Sequence, residues 1–176
     1  MPWKVDPANS EIAFDVKHLR VANVRGRFHA FEGSLDMNEE DPPASAVEGT
    51  IDTASLKTGI GPRDSNLRGA GRFDVKRFPK MAFKSTKVGP FEGNRFKVHG
   101  NLTIKDITKP VVFDVVDKGE LSPVKGQPAS RRRAFEATIR LNRKDFGIKW
   151  NPLMELGTIL VAEEINATLE MTMIKE

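Results

Sequence analysis

The sequence predicts an all-β protein whose long strands close into an eight-stranded antiparallel barrel. Apolar residues recur at every second position over most of the chain, and clusters of Gly, Pro, Asn and Asp separate the alternating stretches. Alternation with a period of two gives each strand one apolar and one polar face, which is the pattern of an antiparallel sheet. The same alternation also permits an open β-sandwich, which is the alternative architecture.

The alternation defines eight candidate strands along the chain. Ile12 and Phe14 share one face of the first strand. Gly26 and Gly33 lie within the second, where they would let one long strand bend sharply. The candidate strands are near residues 11–20, 25–37, 45–53, 80–88, 94–105, 110–121, 132–143 and 158–174, and the last could be divided in two.

Turn-forming residues support hairpin connections between most of these strands. Gly and Pro supply the backbone conformations of tight turns, and Asn and Asp side chains bond to their own backbone there. The predicted turns are at residues 39–43, 89–94, 106–110 and 121–128.

Strand-like alternation stops between residues 53 and 79. Pro62 suits a first helical position, Asp64 suits a first helical turn, and Gly69 would end the helix. The sequence therefore predicts a short helical insert near residues 62–70, placed between two strands.

The composition indicates a single domain over residues 1–176. A chain of 176 residues is long enough to bury roughly 70% of its unfolded surface without a stabilising metal or cross-link. Cysteine is absent, which excludes disulfides, thiolate zinc sites and thiol catalysis.

The N-terminal residues contain no apolar segment of the kind found in signal peptides. The longest uncharged apolar run, residues 156–162, is far too short to span a bilayer. As written, the chain is expected in the cytoplasm. A protein from which a signal peptide had been removed would begin in the same way, so a periplasmic location is the alternative.

The net charge of +4 is spread along the chain and does not indicate nucleic-acid binding. The one tight basic cluster is Arg131, Arg132 and Arg133, which follows a loop-like stretch. No nucleic-acid-binding motif or interleaved aromatic pattern accompanies it. Nucleic acid is therefore not an expected partner.

Spacing also argues against an enzyme or a metal site. The three imidazoles, His18, His29 and His99, have no spacing that would place two ligands on one face. The sequence has no nucleophile elbow, P-loop or dinucleotide fingerprint. The sequence therefore predicts neither catalysis nor a required cofactor.

A series of motifs spans the chain. These motifs lie at residues 3–6, 10–18, 26–33, 51–59, 63–68, 73–79, 100–104, 108–111 and 142–147. In their order, they make the chain resemble, from end to end, the YceI-like family of lipocalin-like barrels, which is associated with binding polyisoprenoids and related long-chain lipids. The resemblance implies an extended lipocalin-like barrel, a polyisoprenoid or isoprenoid quinone-like ligand, and homodimerisation.

Two positions depart from the family pattern. Asn66 stands where the family commonly has a histidine, and Asn101 where an aspartate is usual. An asparagine donates and accepts hydrogen bonds but does not titrate near neutral pH. The resemblance therefore predicts the class of ligand more firmly than its head group.

The resemblance implies a deep hydrophobic tunnel that opens near the helical insert. Eleven Phe and no Tyr suit a dry interior, because these rings carry no hydroxyl that needs a partner. Phe at alternating positions is more often part of a packed core than of a pocket wall. The candidate lining residues, some of which are expected to be ordinary core, are Phe14, Val16, Phe28, Leu56, Leu67, Phe73, Phe83, Val98, Leu102, Phe113, Phe135, Ile139 and Phe146.

Candidates for the polar head of the ligand lie in and near the insert. Arg63 and Arg68 could meet a diphosphate or carboxylate, with Asp64 and Asn66 orienting it. The structural alternative is that the Arg–Asp pair caps the helix and fastens the insert to the barrel. His18 falls in register with the apolar face of the first strand, where it is either a core residue or a ligand contact.

Two hypotheses remain open from the sequence. The first is a module that binds and carries or stores an isoprenoid lipid, with transient contact to a membrane. The second is a stress-responsive interaction protein whose barrel is filled by side chains and which acts through its surface. Trp150, Leu153 and Met154 would form its exposed apolar contact.

Overall fold

The computed structural model describes residues 2–18, 21–59, 61, 65, 68, 74–122, 131–146 and 161–175. These residues form one antiparallel sheet of eleven strands. The strands are β1 (Trp3–Val5), β2 (Glu11–His18), β3 (Val21–Phe28), β4 (Phe31–Asp36), β5 (Ala46–Asp52), β6 (Leu56–Lys57), β7 (Lys80–Glu92), β8 (Arg95–Ile104), β9 (Ile107–Leu121), β10 (Arg131–Asn142) and β11 (Val161–Lys175). Short 3-10 helices occupy Pro7–Asn9, Pro42–Ala44, Thr53–Ser55 and Arg143–Phe146.

The sheet closes into the predicted eight-stranded antiparallel barrel. Strands β1 and β2 follow each other along one edge of β11, and β3 and β4 follow each other beside them in the opposite direction. Strands β5 and β6 form the next line, so the eleven short strands make eight barrel strands. Pairing of Lys4 with Ile174 on one side and with Ser34 on the other closes the ring.

The predicted long strand at 25–37 is interrupted. It begins earlier, at Val21, and breaks at His29 and Ala30. The amide of His29 donates to the carbonyl and side-chain oxygens of Ser55, and the Ala30 carbonyl accepts from Asp52. These bonds turn the backbone toward the 3-10 helix after β5 and bend the ribbon there.

Two predicted turns are tighter than expected. The turn predicted at 89–94 is reduced to Gly93 and Asn94, because a register shift between Val88 and Phe91 keeps Gly89 and Pro90 within β7. The turn predicted at 106–110 contains only two residues, Lys105 and Asp106, with φ of 58° and 81°. Two consecutive positive φ values fit the right-handed twist of the flanking strands.

In the insert, the described residues Gly61, Ser65 and Arg68 are α-helical, which agrees with the predicted helical insert. The carbonyl of Arg68 accepts from the amide of Val75, and its guanidinium donates to the carbonyl of Leu56. The insert is thereby tied to the end of the barrel where β5 finishes. Among the described residues, no helix has the length and apolarity needed to cross a membrane.

The buried side chains form two clusters inside the barrel. The insert-end core consists of Ile12, Phe28, Leu56, Met81, Leu102, Ile104 and Phe146. The loop-end core consists of Trp3, Val88, Val98, Val115, Phe135 and Met173. The two clusters occupy successive levels along the barrel, and the interior between and above them is not filled.

Candidate ligand cavity

A cavity of about 560 Å³ lies inside the barrel. This volume falls within the range of pockets that hold small molecules. Aliphatic and aromatic side chains from β1, β2, β4, β5 and β7–β11 dominate its wall. Apolar residues of that wall are Val5, Ile12, Phe31, Leu35, Met37, Val47, Ile51, Met81, Phe83, Val88, Phe91, Phe96, Val98, Leu102, Phe113, Val115, Phe135, Ala137, Leu169, Met171 and Met173.

Glycines keep part of this wall free of side chains. Gly33 of β4 pairs with Gly49 of β5, and both line the cavity. A Cβ on Gly33 would lie 3.1 Å from the Glu48 carbonyl oxygen and 3.3 Å from Val5 Cγ2. The pair therefore sets the wall back where two side chains would otherwise project into the interior.

Phe83 lies on the same wall, on the neighbouring strand β7, where it pairs with Gly49. Its ring lies over Gly100, where a Cβ would come within 2.5 Å of Phe83 Cζ. The ring also meets Phe113 edge to face, with centroids 5.0 Å apart. This arrangement holds a large side chain against the wall, so it borders the cavity rather than filling it.

Polar residues of the wall include Glu32, Ser34, Glu48 and Thr50 along β4 and β5. A further group lies at one end of the cavity, which we call the mouth. It is formed by Asn38, Glu39 and Ser45 from the β4–β5 loop, together with Asp117 of β9 and Arg133 of β10. Strand β5 begins at the mouth and ends at the insert, so the two lie at opposite ends of the barrel. Within the described part of residues 53–79, no side chain lines the cavity.

At the insert end, the described side chains of the insert-end core pack against one another. Leu56 is fully buried there, and Phe28 and Phe146 are nearly so. The mouth lies at the other end of the barrel. The opening near the insert that the family resemblance implies stays a prediction, because most of the insert lies outside the described residues.

An ion pair marks the mouth. Nε of Arg133 donates to both carboxylate oxygens of Asp117, at 3.0 and 3.1 Å, and Nη2 donates to Oδ2. Oδ1 of Asp117 also accepts from the amide of Gly119 at 2.8 Å. The hydrogen bond to Asp117 raises the pKa of Arg133 above its ordinary value. The side chains of Arg133 and Asp117 are 23% and 20% exposed.

The arginine cluster at 131–133 begins β10 and is not a free basic patch. Arg131 pairs with Glu120 and, at 3.7 Å, with Glu39, and its guanidinium lies 5.2 Å from the centroid of the Trp3 ring. Two of the three arginines are thus matched by carboxylates. The cluster helps to seal the loop-end core beside the mouth.

The predicted lining residues fall into three groups. Phe83, Val98, Leu102, Phe113 and Phe135 border the cavity.

A second group of predicted lining residues packs away from the cavity, and all but the partly buried Phe14 are buried. Phe28, Leu56 and Phe146 belong to the insert-end core, and Ile139 is buried. The ring of Phe14 packs against Phe28, with centroids 5.5 Å apart. Alternation placed these side chains on the inner face but did not distinguish core from cavity wall.

The remaining predicted residues, or their side chains, lie outside the part of the chain that the structure describes. These are Leu67, Phe73 and the side chain of Val16 for the lining, and Arg63, Asp64, Asn66 and the side chain of His18 for the head group. Among the head-group candidates, Arg68 is described, and its guanidinium donates to the Leu56 carbonyl. Its Nε is buried and has no hydrogen-bond partner among the residues that the structure describes. This geometry ties the insert to the barrel.

Sequence reasoning missed the two charged residues of the mouth, although a signal was present. Asp117 is the next inward-facing residue of β9 after Phe113 and Val115. Arg133 likewise shares the inner face of β10 with Phe135. A charged residue that continues an apolar alternation marks where the inner face of a strand reaches the end of the dry interior.

A second hollow, of about 600 Å³, lies on the outer face of β2, β3, β6 and β11. Its wall carries Asp15, Arg25, Arg27 and Lys57, and Arg27 is paired with Glu11 at 2.9 Å. This mixed, charged surface does not suit an apolar ligand. Over the part of the chain that the structure describes, no cluster of three or more His, Asp or Glu could hold a metal ion.

Comparisons with known proteins give consistent matches. The YceI-like domain family matches residues 3–173. A UPF0312 protein of Pseudomonas aeruginosa is 34% identical over 177 residues, covering 99% of this chain and 87% of that protein. Protein YceI of Salmonella newport is 34% identical over 148 residues, covering 83% and 75%.

Solved structures share the fold. BcnA of Burkholderia cenocepacia superimposes with a TM-score of 0.82 at 23% identity, covering 96% of this chain and 98% of BcnA. A polyisoprenoid-binding domain from Saccharophagus degradans gives a TM-score of 0.73 at 14% identity, with 97% of each chain covered. At these identities the likeness concerns the barrel architecture.

Proposed function

The chain belongs to the YceI-like family, and from this premise we propose that it binds a polyisoprenoid or isoprenoid quinone-like lipid inside the barrel. The observation that carries the proposal is the largely apolar cavity of about 560 Å³ with a group of polar residues at its mouth. An amphiphile with a long apolar tail and a small polar head matches that distribution. The polyisoprenoid-binding domain with the same architecture supports this ligand class.

Burial in an apolar cavity is favourable for an isoprenoid tail. Such a tail needs an apolar wall and no specific partner, and burial contributes about 0.8 kcal/mol per CH₂. A few five-carbon units would reach the affinity ceiling of non-covalent binding. The depth of the cavity, rather than affinity, would therefore limit the length of tail that is held.

Carriage of the lipid requires exchange with a membrane, and the mouth offers a surface for it. Phe91, which also lines the cavity, is 41% exposed, and Leu121 at the end of β9 is 38% exposed. Both lie at the mouth end of the barrel. We place transient membrane contact there, so that a lipid passes between bilayer and cavity with little exposure to water.

We propose that the protein binds its lipid without converting it chemically and without a required cofactor. Its described wall carries no histidine, and its one arginine is bonded to Asp117. Homodimerisation stays a prediction of the family resemblance.

The alternative is a barrel filled by side chains that acts through its surface. The cavity weighs against it, because a filled interior would leave no such volume. Trp150, Leu153 and Met154, the apolar contact of that hypothesis, lie outside the described residues.

Native mass spectrometry of freshly purified protein, followed by solvent extraction, tests the proposal. A stoichiometric prenylated lipid in the extract is the expected result. The protein should also take up such a lipid from vesicles after delipidation. A protein that is empty on purification and rejects a panel of prenylated alcohols, quinones and hydrocarbons would refute lipid binding and favour the surface-acting alternative.

A further inference from the structure

Building on the proposed function, we propose that Arg133 and Asp117 form the subsite for the polar end of the lipid. We further propose that this subsite selects an uncharged, oxygen-bearing head group over a diphosphate. A hydroxyl or a quinone carbonyl is the chemistry that it fits.

The position of the pair follows from the strands. Arg133 and Asp117 continue the inward-facing alternation of β10 and β9 to the mouth, directly beyond Phe135 and Val115. Below them, the wall is largely apolar, and its polar residues are Glu32, Ser34, Glu48 and Thr50 on β4 and β5. A lipid whose tail fills the cavity therefore has its polar end at this pair.

The charge of the pair decides which head group fits. The carboxylate of Asp117 accepts from two nitrogens of Arg133 and from the amide of Gly119, so it neutralises the guanidinium directly. Arg133 is the one cation on the described wall, and the mouth also carries Glu39, which pairs with Arg131 at 3.7 Å. A diphosphate would bring several negative charges beside two carboxylates and would have to break the pair to gain a counter-ion.

An uncharged acceptor meets no such conflict. A guanidinium has five N–H groups, and the bonds to Asp117 use Nε and Nη2. Nη1 has no partner among the described residues, so it remains able to donate to a carbonyl or hydroxyl oxygen.

Aromatic rings lie next to the pair. The guanidinium of Arg133 is 5.9 Å from the Phe135 ring centroid, Phe135 meets Phe96 edge to face, and Phe91 stacks on Phe96 at 5.0 Å. Such a cluster can accept a planar ring beside the donor group. A prenylated ring with a carbonyl oxygen would use both features.

The test compares ligands that share one branched carbon skeleton. Affinities of geranylgeraniol, geranylgeranyl diphosphate and the hydrocarbon phytane are measured by displacement of a fluorescent apolar probe at moderate ionic strength. We expect geranylgeraniol to bind more tightly than phytane, and the diphosphate to bind at least about tenfold more weakly than geranylgeraniol.

Two variants sharpen the comparison. Asp117→Asn keeps an oxygen for the Gly119 amide but leaves Arg133 unneutralised, so diphosphate affinity should rise about tenfold while phytane affinity is unchanged. The double variant Arg133→Met with Asp117→Asn should bind geranylgeraniol no better than phytane. Arg140→Met on the exposed face of the same strand is the control and should change nothing.

The outcomes separate the two levels of the proposal. Tight binding of the diphosphate by the unaltered protein, or equal binding of geranylgeraniol and phytane, would overturn the head-group subsite while leaving lipid binding intact. Failure of all three ligands to bind would refute lipid binding itself. Circular dichroism and a melting curve establish that each variant is folded, and the ligand comparison in the unaltered protein does not depend on any variant.

Discussion

The ring of Phe83 on β7 occupies the space that a side chain at Gly100 on β8 would need. The two residues are diagonal neighbours, because Phe83 pairs with Leu102 and Gly100 pairs with Ser85. A Cβ at Gly100 would lie 2.5 Å from both the Phe83 ring and the Lys84 carbonyl oxygen. The cavity wall thus depends on a missing side chain as much as on a large one.

Gly100→Ala is expected to destabilise the fold by about 1–3 kcal/mol, the usual range for overpacking. The added methyl meets a backbone oxygen, which cannot move aside as a flexible side chain could. The midpoint of urea unfolding measures the effect. Gly61→Ala is the matched control, because a Cβ there meets nothing within 4 Å; an equal loss in both variants would contradict the proposed role of Phe83.

Ala137→Phe is expected to reduce lipid binding with a small effect on folding. Ala137 lines the cavity, so a phenyl ring at this position enters volume that the tail would occupy. The quantity to measure is bound lipid per protein after equilibration with vesicles. Thr138→Phe on the next, outward-facing position of β10 is the control. Unchanged binding in a folded Ala137→Phe protein would place the ligand elsewhere.

Leu121→Ser is expected to slow the transfer of lipid from vesicles by roughly tenfold, since burying such a side chain contributes about 1.5–3 kcal/mol. Leu121 is exposed at the mouth and does not line the cavity, so equilibrium affinity should be preserved. Stopped-flow transfer of a fluorescent prenylated lipid gives the rate. Val112→Ser is the control, because Val112 is 40% exposed but lies further along β9 from the mouth; equal slowing in both would argue against docking at the mouth.

Arg68→Met is expected to lower the free energy of unfolding by about 1–3 kcal/mol without weakening lipid binding. The variant removes the hydrogen bond to the Leu56 carbonyl and leaves that buried oxygen without this donor. Urea unfolding and probe displacement are measured on the same samples, with the exposed Lys57→Met as control. Loss of affinity for charged lipids alone, with stability unchanged, would instead favour Arg68 as a head-group residue.

Much of the barrel was accessible from the alternation of apolar residues. The period of two fixed which side chains of β8 and β9 face inward, including Val98, Leu102 and Phe113, because successive side chains of a strand point to opposite faces. Strands β1 and β6 were missed, since two or three residues are too few to show a period. The bend at His29 was also missed, because it depends on bonds to Ser55, which is distant in sequence.

What the sequence determined by itself is the barrel, the inner face of each strand and the family. What the tertiary structure decided is where the inner face encloses space. Phe28 and Phe83 both occupy inward-facing positions of their strands. Phe28 packs in the insert-end core, whereas Phe83 borders the cavity. This difference depends on the distance between each strand and the opposite wall of the barrel. It also depends on the pairing of residues far apart in sequence, such as Gly33 with Gly49. Neither is encoded in the period of a single strand.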